Sequence, residues 1–213
     1  MLLTPLYYNV EYRLPYFPDD RYGFTQAERL DWAKLSVDYL LNGAGIEFLA
    51  DLHFPAGQQA AGPCEDFLSP RDCGYFYNDR ELQHMLDVKI VVGYAMGVLW
   101  GGLLILLGLG VWAQRSDWWD AFKWALARGG WLTVGLISAL MVYLALNFNS
   151  LFITFHRIFF EGQSWIFNYS DSLIRLFPVV FWRDAFIWVG VLALGGGAAL
   201  GYFLGKSARQ HPG

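Results

Sequence analysis

Three stretches of the chain carry no charged residue: Ile90 to Gln114, Gly129 to Phe155 and Ala185 to Gly205. Each is longer than the roughly 20 residues a helix needs to cross about 30 Å of hydrocarbon. One such stretch could be a helix buried in a soluble core, but three in 213 residues argue against that reading. Charge is scarce and uneven. Charged residues make up 16% of the chain, against about 25% in a typical soluble domain. Fourteen of the nineteen acidic residues precede Ile90. The expected fold is therefore an all-α membrane protein, a helical transmembrane bundle with a small extracytoplasmic cap. Three complete spans are expected at about 90–112, 130–154 and 185–205, in a transmembrane domain covering 90–213. Residues 1–89 form the cap, and an outer interfacial segment is expected at about 155–184.

Basic residues orient the bundle. The loop after the first span holds Arg115, Lys123 and Arg128, and the tail after the last span holds Lys206 and Arg209 without an acid. The positive-inside rule makes both cytoplasmic, including the C-terminus. The cap and the segment from about Phe155 to Asp184 then face the exterior. An exterior cap must be delivered, and Met1-Leu2-Leu3-Thr4-Pro5-Leu6-Tyr7-Tyr8 reads like the outer end of a further helix. A fourth, N-terminal span is thus expected in the natural protein. Cys64 and Cys73 both fall in the cap, where a pair can close a short disulfide loop or remain as two thiols. They do not make a convincing zinc site. The net charge of −4 gives no support for nucleic-acid binding.

Local patterns place further elements. Thr25-Gln26-Ala27-Glu28 is a capping-box pattern, and Leu30, Ala33, Val37 and Leu41 follow at helical spacing until Asn42-Gly43. Residues 12–23 and 56–74 read as irregular. Asn78 caps a second helix with Glu81 in its first turn. No breaker follows, so this helix should run through His84 into the first span. Gly93, Gly97 and Gly101 in the first span, and Gly197, Gly201 and Gly205 in the last, make ridges suited to close helix contact. Trp112, Trp118, Trp119, Trp124 and Trp131 fit an inner-interface aromatic belt. The run Ser170 to Pro178 reads as a short capped helix lying in the interface.

Candidate chemistry rests on histidine. His211 lies in the tail and His53 in the cap. His84 sits six residues ahead of Ile90, roughly 9 Å along a helix. His156 directly follows the second charge-free stretch. The topology brings both to the outer boundary of the bilayer, although depth alone does not establish contact. Glu81 and Asp87 share a helix face with His84, where a carboxylate can fix the imidazole tautomer; equally, they could be solvent-facing charges. Around His156 stand Phe148, Phe152, Phe155, Phe159, Phe160, Trp165 and Phe167. They could line an acyl-chain pocket or face lipid. Arg157 could meet a headgroup or an oxyanion, or snorkel to the interface. The chain holds no G-x-S-x-G, P-loop, H-E-x-x-H or dinucleotide fingerprint. A catalytic site would have to work by general acid–base chemistry.

The stretch Glu81-Leu82-Gln83-His84-Met85-Leu86-Asp87-Val88-Lys89 resembles the E-x-x-H-M-x-D-V-K signature of the bacterial lipoprotein intramolecular transacylases. Phe155-His156-Arg157-Ile158-Phe159-Phe160, Trp165 and Asp171 to Pro178 resemble the second signature of that family. The resemblance covers most of the chain. It implies four membrane helices under an extracellular cap, of which three complete ones are seen here. It also implies transfer of an acyl chain from the sn-2 glyceryl ester of a diacylglyceryl lipoprotein to the amino group of its N-terminal cysteine. His84 and His156 fall on the two catalytic positions. Glu81, Asp87, Arg157, Phe155, Phe159 and Trp165 are expected to support them or bind substrate. No metal, nucleotide or other cofactor is implied, and the partners are the lipoprotein and membrane lipids. The rival readings are a non-catalytic membrane scaffold whose cap binds a partner protein, and a metal or proton transporter. The latter is weakened because ion paths usually need a charge within the membrane.

Overall fold

A computed structural model of the chain describes residues 4–61 and 73–209. Among the described residues seven helices follow in order: α1 (Pro5–Glu11), α2 (Gln26–Leu41), α3 (Glu47–Ala50), α4 (Asp79–Arg115), α5 (Trp119–Phe159), α6 (Ser172–Leu176) and α7 (Val179–Arg209). An isolated antiparallel bridge joins His53 to Tyr75, and no strand occurs among the described residues. Among the described residues three helices, α4, α5 and α7, are long and apolar enough to cross a membrane. The protein is an all-α membrane protein. Met1 to Leu3, Cys64 and His211 lie outside the described residues. Cys73 is disulfide-bonded.

The chain divides into two compact units, residues 1–94 with 154–183, and residues 95–153 with 184–213. The first unit contains the small helices. The Thr25 side chain accepts the Glu28 N–H while the Glu28 carboxylate accepts the Thr25 N–H, so the capping box of α2 is complete. Arg29, Ala33, Ser36, Val37 and Tyr39 form the buried face of α2, whereas Leu41 is exposed. The core of this unit is aromatic. Phe76 stacks on Trp32 at 4.0 Å and on Phe24 at 5.8 Å, and lies tilted against Phe54 at 4.9 Å.

One buried ion pair ties distant parts of this unit together. The Arg175 guanidinium donates to Asp20 at 2.8 Å, with both side chains almost wholly buried, and lies 3.5 Å over the Phe24 ring. Burial pushes the Asp20 carboxyl up. Arg175 and the Phe24 and Tyr22 N–H groups outweigh it and hold the carboxyl below the usual range. Arg29 donates to the Arg175 carbonyl at 2.9 Å. The Tyr7 hydroxyl donates to the Phe181 carbonyl at 2.8 Å, and the Tyr12 hydroxyl donates to the Leu176 carbonyl. Together these bonds hold α6 and the first turn of α7 against α1 and α2. Lys89 donates to the Ala44 carbonyl at 2.6 Å and covers the Tyr39 ring at 4.0 Å, tying α4 to the end of α2.

In the second unit α5 and α7 approach closely. A Cβ on Gly130 would meet the Gly197 carbonyl at 2.5 Å, and one on Gly201 would meet the Trp131 indole at 2.7 Å. Gly197 and Gly201 are thus contact residues. Gly93, Gly97 and Gly101 of α4 have open space at the same position, so that ridge meets no neighbour among the described residues. The turn from α4 into α5 uses Asp117 at φ 55°, a left-handed conformation that Asp tolerates better than most residues. Trp112, Trp118, Trp119 and Phe122 cluster around this turn. Helix α5 is interrupted at Asn147, whose φ of −157° and ψ of 75° leave the helical region. The Asn147 side chain accepts the Ser150 N–H at 3.0 Å and so caps the continuation that carries His156.

Candidate active site

The start of α4 is fixed by a second reciprocal cap. Asn78 accepts the Glu81 N–H at 2.9 Å, and one Glu81 oxygen accepts the Asn78 N–H at 2.8 Å. The other Glu81 oxygen accepts the Leu173 N–H at 2.6 Å from the first turn of α6. Glu81 is therefore a fully buried brace between α4 and α6. Burial pushes its carboxyl up to about 8, against the opposing pull of those two N–H donors.

One turn further along α4, His84 meets His156 from the end of α5. Their rings lie 5.9 Å apart and nearly parallel, at 20°. Both side chains are buried. The Phe160 ring packs edge-to-face on His84 at 4.8 Å and lies 5.4 Å from His156. Phe167 meets His84 edge-to-face at 5.3 Å, and Trp165 lies 5.1 Å from His156. Phe155 stands 5.7 Å from its neighbour His156. Two histidines thus share an aromatic enclosure. His84 precedes the charge-free stretch of α4, and its imidazole is pushed down to about 4, first by burial and then by His156. At neutral pH it carries no charge. No hydrogen-bond partner reaches His84 Nδ1 or Trp165 Nε1 among the described residues, although both atoms are buried.

Asp87 accepts from Gln83 at 3.0 Å and from the Ser164 hydroxyl at 3.3 Å, and so anchors the loop ahead of Trp165. Arg157 and Phe159 are exposed, and Phe159 packs on Phe155 at 4.7 Å. The aromatic group expected from the sequence divides. Phe148 packs on Phe152 and Phe186 in the second unit, while Phe155, Phe160, Trp165 and Phe167 surround the histidines. Phe160 and Phe167 emerge as the closest ring neighbours of His84. Their sequence signal was no stronger than that of the other phenylalanines nearby. Arg80 donates to the Ile166 carbonyl at 3.1 Å, a tether that no sequence pattern announces. No group of three or more His, Cys, Asp or Glu side chains could hold a metal ion among the described residues.

The model of the family described as lipoprotein intramolecular transacylase Lit matches residues 2–182. An uncharacterized protein of Aquifex aeolicus (strain VF5) is 30% identical over 189 residues, covering 86% of this chain and 74% of that one. The solved in meso structure of the membrane-integral lipoprotein intramolecular transacylase Lit from Bacillus cereus has the same fold. Its TM-score is 0.73 at 21% identity, covering 99% of this chain and 87% of that one. The chain belongs to the lipoprotein intramolecular transacylase family Lit.

Proposed function

We propose that this protein moves an acyl chain within a diacylglyceryl lipoprotein, from the sn-2 glyceryl ester to the amino group of the N-terminal cysteine. The product is a lyso-form lipoprotein. The observation that carries this reading is the burial of His84 and His156 as neighbours inside one ring of aromatic side chains. Donor and acceptor belong to one substrate, so the protein's main task is orientation, which can supply roughly 7–11 kcal/mol of barrier reduction.

The amine nitrogen attacks the ester carbonyl, and its proton passes to His156 as general base. The C–N bond forms, the carbon–glyceryl oxygen bond breaks, and His156 returns the proton to the departing oxygen. His84, neutral at physiological pH, offers one N–H to that oxygen. Phe160, Phe167 and Trp165 exclude water from the pair and provide apolar surface for the acyl chain, with Phe155 beside His156. Glu81 and Asp87 act at a distance by fixing α6 and the Trp165 loop. Arg157 and Phe159, on the exposed side of α5, contact headgroup and lipid. The placement of Arg115, Lys123, Arg128 and Lys206 favours an extracytoplasmic site in a bacterial cell membrane, with the C-terminus cytoplasmic.

The purified full chain, given a synthetic diacylglyceryl lipopeptide in detergent micelles, should convert it to an isomer with one alkali-stable acyl group. Release of free fatty acid without N-acylation would replace this reading with a hydrolase.

A further inference from the structure

We infer that Trp165 is a hydrogen-bond donor to the acyl carbonyl oxygen of the substrate, the group that develops negative charge during transfer. This inference rests on the transacylase reading above. Its starting point is that the indole N–H is buried with no partner among the described residues. An indole nitrogen can only donate, and a buried donor left unpaired is costly unless something occupies it in the working protein.

The donor belongs to the residue whose ring lies 5.1 Å from His156. The chain on either side of it is tethered to α4. Ser164 donates to Asp87 at 3.3 Å, and Arg80 donates to the Ile166 carbonyl at 3.1 Å. The Ile166 N–H closes a turn on the Gln163 carbonyl at 3.1 Å. A tryptophan fixed only by packing would need none of these bonds. Asp87 and Arg80 lie three and four residues either side of His84 on the same helix. The helix that presents His84 therefore also positions the indole.

The chemistry needs such a donor. As the amine nitrogen bonds to the carbonyl carbon, the carbonyl π pair moves onto oxygen. Collapse restores the C=O bond and expels the glyceryl oxygen, which takes the proton lost by nitrogen. His156 and His84 serve the nitrogen and the glyceryl oxygen and leave the carbonyl oxygen without a partner. A neutral N–H in a water-poor site stabilises that charge without giving up its proton.

The test uses the full chain in micelles with the diacylglyceryl lipopeptide. It compares wild type, Trp165→Phe, and a protein with 3-benzothienylalanine introduced at position 165. The last keeps the bicyclic shape but has sulfur in place of N–H, so it remains informative where the phenylalanine variant fails to fold. Both are expected to lose about 10²–10³-fold in kcat, with KM little changed. Wild-type kcat in the benzothienyl protein would overturn the donor role while leaving the transacylase reading intact. Absence of acyl transfer by the wild type would overturn that reading and this inference together.

Discussion

The imidazoles of His84 and His156, 72 positions apart in the chain, lie 5.9 Å apart and are nearly parallel. Phe160 packs against both rings. His84→Ala and His156→Ala are each expected to lower lipopeptide conversion by about 10²–10⁴-fold. Helical content and detergent-extracted yield should persist. Near-wild-type turnover in both variants would remove the histidines from the chemistry.

Burial, reinforced by His156, holds the His84 imidazole at about 4 against an ordinary value of 6.5. Between those pH values the unfolded chain binds the proton and the folded chain does not. The resulting stability is present above pH 6.5 and is lost as pH falls towards 4. In NMR spectra of ¹⁵N-histidine-labelled protein, one imidazole should remain neutral at pH 5.5 and be assigned to position 84 by His84→Gln. Titration of that ring near 6.5 would contradict the enclosed site.

Each oxygen of Glu81 accepts a different backbone N–H, from Asn78 and from Leu173. Glu81→Gln turns an NH₂ group towards one of those donors. It should cost about 1–3 kcal/mol, the penalty of leaving a buried donor unsatisfied. Thermal unfolding in micelles would report this, and an unchanged midpoint would show that α6 is held by other means.

The Asp20–Arg175 pair is buried on both sides, so removing one partner leaves the other charge uncompensated. Asp20→Ala should destabilise the protein by about 3–5 kcal/mol. The double variant Asp20→Leu with Arg175→Met should recover most of that loss. A single variant as stable as wild type would mean that Arg175 finds another acceptor.

Features governed by local physics were legible in the sequence. Charge-free length announces α4, α5 and α7, and spacings of three residues announce the caps at Thr25 and Asn78, because the groups involved are neighbours along the chain. The concurrence of His84 and His156 could be anticipated from topology and resemblance, but their contact could not. The bond from Glu81 to Leu173 joins positions 92 apart, and that from Asp20 to Arg175 joins positions 155 apart. Each depends on how the helices pack, and no local pattern encodes it. The interruption at Asn147 had a weak signal in Asn-x-x-Ser, which the surrounding apolar residues masked. The glycine ridges of α4 and α7 look alike in sequence, yet only that of α7 meets a neighbouring helix among the described residues.

Acyl transfer within lipoproteins can be read by tandem mass spectrometry of a lipoprotein N-terminus, in cells that express this protein and cells that lack it. Expression is expected to relocate one fatty acyl group from glyceryl oxygen to the cysteine nitrogen with no change in total mass. A terminus that keeps both ester-linked chains and an unmodified amine, despite abundant folded protein in the membrane, would contradict it.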